Sequence, residues 1–202
     1  MKIDIKKAAI FSGMAAAIAA GTQAHAQQPE ISYDYLEAAA SKGELLDEDF
    51  TGYGVAGSFS ITESVFMRGS YSNGTSDDEF RVGFMTDEIE LSTFTFGLGY
   101  HLPISSSTDF VSNLSYISGE VDFGNADEDA NGYIFDIGLR SMVMPNLELE
   151  GLVAYTDGSD SDGDVSFEAN AKFFVTPAFA LILGYSDGDD TSGIAAGVRL
   201  NF

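Results

Sequence analysis

The sequence contains no cysteine and no tryptophan, and only two histidines among its 202 residues. Without cysteine the chain can form neither a disulfide nor a thiolate metal site. Basic residues are also scarce: nine lysines and arginines stand against 32 aspartates and glutamates, which gives a formal net charge of −23. Because a chain this acidic repels phosphate groups, we expect no nucleic-acid partner.

Long hydrophobic runs are missing as well. No stretch after residue 26 approaches eighteen consecutive apolar residues, so the sequence predicts no transmembrane helix. The spacing of apolar residues that is typical of helices is also scarce. A membrane role, if the chain has one, must therefore rest on strands.

The first 26 residues have the pattern of a secretory signal peptide. Lys2, Lys6 and Lys7 supply a positive start, residues 8–20 form a mostly apolar run, and the sequence Ala24-His25-Ala26 is typical of a cleavage site. The run is too short to span a bilayer, although an N-terminal membrane anchor is the alternative. We predict cleavage after Ala26 and a single mature domain over residues 27–202.

The mature chain alternates apolar and polar residues with a period of two. Near the C-terminus Ile194, Ala196, Val198, Leu200 and Phe202 are apolar, and small or polar residues stand between them. This pattern indicates strands with one apolar face. The sequence predicts ten of them, at roughly 31–42, 51–61, 65–72, 91–102, 109–119, 132–143, 147–156, 165–175, 179–186 and 193–202.

The predicted connections are alternately short and long, and the long ones, at 43–49, 73–90, 120–131, 157–164 and 187–192, are acidic. Short turns at one end and long loops at the other are typical of a bacterial transmembrane β-barrel. An even strand number puts both termini at the periplasmic end. An eight-stranded barrel with a hairpin in the second long loop is the alternative, and residues 80–84 in that loop are candidates to extend the third strand outward.

A soluble β-sandwich would also alternate, but three features favour a membrane barrel. The apolar face carries almost no charge, the opposite face is small and polar, and the chain stops on an alternating strand. In lipid the sheet must close, because open strand edges are not tolerated there. Tyrosines recur just before the long loops and predict an interfacial girdle: Tyr71, Tyr116, Tyr155 and Tyr185.

The C-terminal strand, the opening residues 33–37 and the segment 97–103 carry a resemblance to a known family. With these features the chain resembles the small outer-membrane β-barrels of the opacity-protein and outer-membrane-protein-A-like group, without a peptidoglycan-binding domain. The resemblance implies a closed, antiparallel, up-and-down transmembrane barrel in the outer membrane of a Gram-negative envelope. It also implies that Val198, Leu200 and Phe202 form the signal read by the barrel-assembly machinery.

Acidic residues concentrate in the predicted loops. Hard cations prefer carboxylate ligands, so weak Ca²⁺ or Mg²⁺ binding shared with lipopolysaccharide phosphates is one hypothesis, and a solvated rim is the other. The segment 157–164 resembles a calcium loop but fails the EF-hand spacing, so no specific metal site is predicted. The candidate loop residues are Asp157, Asp160, Asp162, Asp164, Asp187, Asp189 and Asp190.

The polar faces of the predicted strands carry both signs of charge. Alternation directs these residues into the lumen, where a buried charge must be paired or hydrated. They predict either a structural ion-pair plug or a thin cation-preferring pathway. The predicted lumen network comprises Glu37, Arg68, Asp136, Arg140, Glu148, Glu150, Glu168, Lys172 and Arg199.

The sequence offers few combinations of residues that could form a catalytic site. The mature chain has one histidine, His101, near the periplasmic end of a predicted strand, so a Ser-His-Asp triad at the outer rim lacks its base. We predict no enzyme and no cofactor. The sequence favours a monomeric outer-membrane protein with a structural or surface-interaction role, in contact with lipid and lipopolysaccharide. A small-conductance porin is the alternative, and an adhesin or phage receptor is a third hypothesis.

Overall fold

The computed structural model describes residues 30–45, 48–77, 80–82, 85–87, 89–123, 126–158 and 161–202. The predicted signal peptide lies outside these residues. The strands are β1 (Tyr35–Leu45), β2 (Glu48–Ser60), β3 (Val65–Ser76), β4 (Phe80–Val82), β5 (Met85–Asp87), β6 (Glu90–Pro103), β7 (Thr108–Phe123), β8 (Ala126–Met144), β9 (Leu147–Gly158), β10 (Ser161–Thr176), β11 (Phe179–Gly188) and β12 (Thr191–Asn201).

Ten of these strands form a closed antiparallel barrel. Each strand pairs with the next along the chain, except that β3 pairs directly with β6. β1 closes the barrel against β12 in an unbroken register from Tyr35↔Asn201 to Leu45↔Thr191. The prediction of a ten-stranded up-and-down barrel is therefore confirmed, and the eight-stranded alternative is wrong. No helix in the described part of the chain is long and apolar enough to cross a membrane.

The loop between β3 and β6 contains a hairpin of its own. β4 and β5 pair with each other in a separate two-stranded sheet, with Arg81 opposite Thr86. The hypothesis that residues 80–84 extend the third strand is therefore wrong for residues 80–82, since β3 ends at Ser76 and these residues pair with β5. Residues 83 and 84 lie outside the described residues. A hairpin in this loop was expected only with eight strands, whereas the structure combines it with ten.

At the end of the barrel that carries the long loops, the strands are longer than the alternation predicted. The predicted loop 120–131 is largely strand, because β7 continues to Phe123 and β8 begins at Ala126. Acidic residues weaken the sequence signal of a strand, since such signals report a half-buried apolar face. A hairpin that stands in water beyond the bilayer needs only its backbone pairing.

The first barrel strand starts later than predicted. β1 begins at Tyr35 rather than near residue 31. The preceding residues leave the wall, and Tyr33 becomes buried, with 5% of its surface exposed. This short segment enters the lumen, where it forms part of the site described below.

The two faces of the wall differ as a membrane barrel requires. Large apolar side chains point outward and are exposed, for example Phe96, Leu114 and Leu183. The inward face carries the buried polar side chains, among them Asn113, Ser115 and Thr156. This reverses the arrangement of a water-soluble protein, and it follows from the period-two alternation of the sequence.

Candidate functional site in the barrel lumen

The centre of the lumen is organised around Glu148, whose surface is completely buried. Its Oε1 lies 2.8 Å from Nη2 of Arg140 and 3.0 Å from Nζ of Lys172. Arg199 is more distant, with Nη1 at 3.8 Å from the same oxygen. One carboxylate on β9 therefore holds three cations that come from β8, β10 and β12.

Glu37 balances Arg199 at the barrel seam. Nε of Arg199 donates a hydrogen bond to Oε1 of Glu37 at 2.6 Å, and Nη2 also contacts that oxygen. The guanidinium stacks over the ring of Tyr35 at 3.7 Å from its centroid, a cation–π contact. Since Glu37 and Tyr35 lie on β1 and Arg199 on β12, this cluster reinforces the closure of the barrel.

Glu150 provides the second carboxylate of the central cluster. It accepts a short hydrogen bond from Nζ of Lys172, and its Oε1 lies 3.9 Å from Nε of Arg140. Glu148 and Glu150 both point inward because they are two residues apart on β9. Two carboxylates at this spacing face two cations on the neighbouring strands, and this pairing offsets the cost of burying the charges.

A separate ion pair crosses the lumen. Nη1 of Arg68 on β3 lies 3.6 Å from Oδ2 of Asp136 on β8. The amide of Asn113 on β7 also donates a short hydrogen bond to Asp136. The strands β6 and β7 stand between β3 and β8 in the wall, so the Arg68–Asp136 contact spans the interior rather than following the wall.

Two small cavities lie among the lumen side chains of the described residues. One cavity of about 40 Å³ is lined by side chains that include Glu37, Glu150 and Arg199. A second cavity of about 40 Å³ is lined by side chains that include Ser115 and Asp136. Arg68, Leu152 and Glu168 line both cavities. Each volume suits roughly one to three water molecules, whereas small-molecule sites occupy about 300 Å³ or more.

Tyr33 occupies the mouth of the barrel at the end that carries the short turns, which the sequence predicts to be periplasmic. Its ring stacks on His101 with the centroids 3.9 Å apart, and the guanidinium of Arg140 lies 4.6 Å from its centroid. Its hydroxyl donates a hydrogen bond of 2.9 Å to Oδ2 of Asp109. The same Asp109 oxygen lies 3.2 Å from Nδ1 of His101.

Apolar side chains complete this layer. Tyr33 packs with the buried residues Phe66, Val111 and Leu152, and Ile31 packs against them. Phe66 on β3 pairs with Gly99 on β6, and a Cβ added at Gly99 would collide with the Phe66 ring. The glycine therefore makes room for the aromatic group that supports Tyr33.

Residues 31–34 form an anchored segment, which we call the N-terminal strap. Nη2 of Arg140 donates a hydrogen bond to the carbonyl of Ser32 at 3.1 Å. The carboxylate of Asp34 accepts hydrogen bonds from the backbone N–H and the hydroxyl of Ser60, at 2.6 and 2.9 Å. The N–H of Phe202 donates to the carbonyl of Asp34 at 3.2 Å, so the strap also contacts the last residue.

The outer end of the lumen is apolar rather than charged. Alternation directs several large side chains inward there, and all are buried: Leu45, Phe50, Leu91, Ile117 and Val121. They come from β1, β2, β6 and β7. The described side chains that face the lumen thus form three layers, namely the strap, the charged centre and this apolar set.

The structure brings together all nine predicted lumen charges on inward-facing positions. Glu37, Glu150 and Glu168 line a cavity, and the others are buried or, in the case of Arg68, partly buried. The sequence reasoning missed Tyr33, Asp109 and Asn113. The alternation of the strand that contains Asp109 and Asn113 would have indicated that both polar side chains face the lumen.

The four predicted girdle tyrosines all lie on the outer surface, with 40–46% of their area exposed. Tyr116 meets Tyr133 of the next strand edge-on, with the ring centroids 5.9 Å apart. Of the proposed assembly signal, Val198 and Leu200 pair with Ala38 and Leu36 of β1, and Phe202 is 65% exposed.

The candidate cation loops are only partly within the described residues. Asp160 and the side chain of Asp162 lie outside them. Asp190 has a positive φ of 55° at the turn between β11 and β12, a conformation that aspartate tolerates better than most residues. In the described part of the chain, no group of three or more histidine, aspartate or glutamate side chains is arranged to hold a metal ion.

Solved structures share this architecture. A structure of the NanC porin matches with a TM-score of 0.54 at 6% identity and covers 83% of this chain and 100% of that one. The translocator domain of the autotransporter NalP from Neisseria meningitidis matches with a TM-score of 0.51 at 8% identity, over 86% and 90% of the two chains. At such identities the likeness shows the fold alone. No curated protein matches the sequence.

The family comparison is more extensive. The profile of the family described as outer membrane protein beta-barrel domain matches residues 8–202, which include every strand of the barrel. An apolar outer face and a polar interior are typical of transmembrane β-barrels. The chain belongs to the outer-membrane protein β-barrel domain family.

Proposed function

We propose that this outer-membrane barrel is a sealed scaffold, whose role is structural or carried out by its outer surface, and that it does not conduct solutes. The observation that carries the proposal is the central cluster at Glu148. A fully buried carboxylate that holds Arg140, Lys172 and Arg199 closes the middle of the lumen. Opening a path there requires separating buried opposite charges, which is costly.

The two ends of the lumen support the same proposal. The Tyr33 ring and its apolar neighbours fill the periplasmic mouth, and buried apolar side chains such as Phe50 and Val121 fill the outer end. A solute would have to displace three different layers to cross. The cavities of about 40 Å³ between the layers are too small for a sugar or an amino acid.

The geometry of His101 supports a non-enzymatic role. Its Nδ1 lies 3.2 Å from Asp109, an arrangement that could orient a general base. The Tyr33 ring covers one face of the imidazole at 3.9 Å, and the Tyr33 hydroxyl already occupies the Asp109 carboxylate. A substrate would meet no open surface at this pair, so we assign it to packing.

The exterior fits a monomer surrounded by lipid. Its exposed aromatic residues, including Tyr71, Tyr155 and Tyr185, are suited to the boundary between lipid and water. We propose that the acidic loops face outward toward lipopolysaccharide, and that the barrel-assembly machinery reads the strand that ends at Phe202. Export through a signal peptide cleaved after Ala26 belongs to the same proposal.

Planar-bilayer conductance of refolded protein, residues 27–202, tests the sealed lumen. We expect folded, heat-modifiable barrels to insert and remain electrically silent in a KCl gradient. A Leu114→Ala variant, changed only on the lipid-facing side, serves as the control and should also be silent. Discrete openings in the wild-type protein that weaken in Asp136→Asn or Glu150→Gln would overturn the proposal.

A cation-preferring channel is the second candidate. One observation favours it: five carboxylates face four cations in the lumen network, and Glu168 borders both cavities. Reversal potentials in the same bilayer experiment would measure the selectivity. An adhesin or phage-receptor role instead depends on the loops, so trimming residues 78–88 and 159–160 without loss of insertion should abolish binding to cells or phage.

A further inference from the structure

The outer rim of the barrel is stepped. β7 and β8 pair with each other up to Phe123↔Ala126, but the register between β8 and β9 begins only at Gly132↔Gly158. Residues 126–131 of β8 therefore have β7 on one side, and no described strand pairs with them on the other. We call this six-residue segment the open edge.

The backbone groups that face outward from this edge can be identified. The N–H of Met142 donates to the carbonyl of Ser107 on the β7 side, at 2.8 Å. Because backbone groups alternate between the two sides of a strand, the even-numbered residues of β8 bond toward β7 and the odd-numbered ones toward β9. In the part of β8 that precedes Gly132, the backbone N–H and C=O groups of Asp127, Asp129 and Asn131 are thus directed toward the open side.

The open edge is long enough to accept another strand. Six residues span about 20 Å at the usual rise of a strand, which is a typical strand length in globular proteins. A shorter step occurs on β10, whose pairing with β11 begins at Ser166↔Gly188 and leaves residues 161–165 beyond it. We consider the β8 edge because it is the longer of the two.

Charge decides which occupant fits. The register puts Glu120 of β7 opposite Asp129 of β8, and Asp122 opposite Asp127. Like charges directly across a ladder repel, and both Glu120 and Asp129 are exposed. A second copy of this chain would add further carboxylates and is disfavoured. A segment that carries lysine or arginine would instead relieve the repulsion.

We propose that the open edge of β8 binds an extended, basic segment of a partner protein, which adds to the barrel wall as one more strand. Backbone hydrogen bonds to Asp127, Asp129 and Asn131 supply the register, and Glu120, Asp122 and Asp129 supply the charge complementarity. The inference rests on the proposed outward orientation of the loops, and it gives the surface-interaction role a specific location.

A peptide probe separates backbone pairing from charge. The probe is a ten-residue peptide of alternating lysine and valine, measured by fluorescence anisotropy against full-length mature barrel in lipid nanodiscs. Its partner probe carries N-methyl groups on alternate amides, on the edge that would face β8, and keeps every charge. We expect the methylated peptide to bind about tenfold more weakly or worse, because it cannot form the ladder hydrogen bonds. Equal binding of both peptides would overturn the proposal.

A matched pair of variants locates the binding. Asp129→Ala removes one charge, whereas Asp129→Pro also removes an N–H that faces the open side and leaves the β7 ladder intact. We expect Asp129→Ala to weaken the unmethylated peptide by a few-fold, and Asp129→Pro by about tenfold. Heat-modified migration on gels checks that both variants fold. If Asp129→Pro binds no more weakly than Asp129→Ala, the edge is not the site.

Two further outcomes would also overturn the inference. One is failure of the unmethylated peptide to bind, and the other is self-association of the wild-type barrel that Asp129→Pro abolishes, which would make a second copy the occupant. Neither result bears on the sealed lumen, because that proposal is decided by conductance. Conversely, a conducting barrel that still distinguishes the two peptides would retain the edge and lose only the sealed scaffold.

Discussion

The hydroxyl of Tyr33 donates a hydrogen bond of 2.9 Å to Asp109, joining residues that lie 76 positions apart. The ring of Tyr33 also stacks on His101 and contacts the guanidinium of Arg140, so both its hydroxyl and its ring have partners. Tyr33, two residues before the first strand, is therefore anchored through both its hydroxyl and its ring. This contact makes the N-terminal strap part of the barrel rather than a loose extension.

Replacement of Tyr33 should separate its polar and apolar contributions. Tyr33→Phe removes only the hydrogen bond to Asp109 and should lower the free energy of unfolding by about 1–2 kcal/mol. Tyr33→Ala also leaves a cavity among Phe66, Val111 and Leu152, and should cost about 3 kcal/mol or more. Urea unfolding from lipid vesicles measures both values.

The control for this pair is Tyr133→Phe, whose ring is 62% exposed on the outer surface. We expect its free energy of unfolding to stay within about 0.5 kcal/mol of the wild type. If Tyr33→Ala behaves like this control, the strap does not contribute to the stability of the barrel.

Neutralising Glu148 should strongly destabilise the protein. Glu148→Gln removes one of the two carboxylates that Arg140 and Lys172 share and leaves only Glu150 to balance them. Breaking one side of a buried ion pair typically costs about 3–5 kcal/mol. The measurement is the urea midpoint of refolded barrels. Glu63→Gln, in an exposed turn, should show almost no change. Equal stabilities of the two variants would mean that the central cluster is hydrated and weak.

The lumen charges illustrate what the sequence could predict. Lys172 and Arg199 each stand among apolar residues on a strand with period two, and this alone sets their inward direction. Their partners were not predictable, because alternation fixes a face but not which strands sit opposite each other or how far a side chain reaches. The Arg68–Asp136 contact across the lumen depends on both of these factors.

The two ends of the barrel were harder to predict for different reasons. The strap has the same alternation as a strand, and only the packing of Tyr33 on His101 shows that it turns inward. At the outer end, Asp127 and Asp129 belong to a strand although their composition favours a loop. There the backbone pairing with β7 outweighs the low strand propensity of aspartate, a case of tertiary context overriding local preference.

Lys42 should control the titration of Asp77 at the outer rim. The Lys42 ammonium and the Thr51 hydroxyl each donate a hydrogen bond of 2.8 Å to Asp77, and they hold the pKa of Asp77 below its ordinary value, with Lys42 the larger cause. A depressed pKa means that this contact stabilises the fold at neutral pH, and that the contribution is lost as the pH falls through the folded-state value.

The test is to follow the Asp77 carboxyl carbon by NMR. Lys42→Met should raise the pKa of Asp77 toward the ordinary value, and Thr51→Val should raise it less. Since both groups are solvent-exposed, the change in overall stability should be small. An unchanged titration in Lys42→Met would show that the two side chains are apart in solution.

Divalent cations should raise the melting temperature of the barrel, because acidic residues crowd its outer loops and repel one another. Asp164 pairs with Thr156 across the β9–β10 hairpin, and Asp157 is the next residue of β9, so both aspartates belong to this hairpin. Calcium added to protein in lipopolysaccharide-containing membranes should therefore stabilise it, and a chelator should reverse the effect. Sodium at matched ionic strength separates specific binding from screening. An unchanged melting temperature with chelator would contradict cation binding. The double variant Asp157→Asn with Asp164→Asn tests the location, with Glu63→Gln as the control. A smaller rise in melting temperature with calcium in the double variant, but not in the control, would locate the cation on this hairpin.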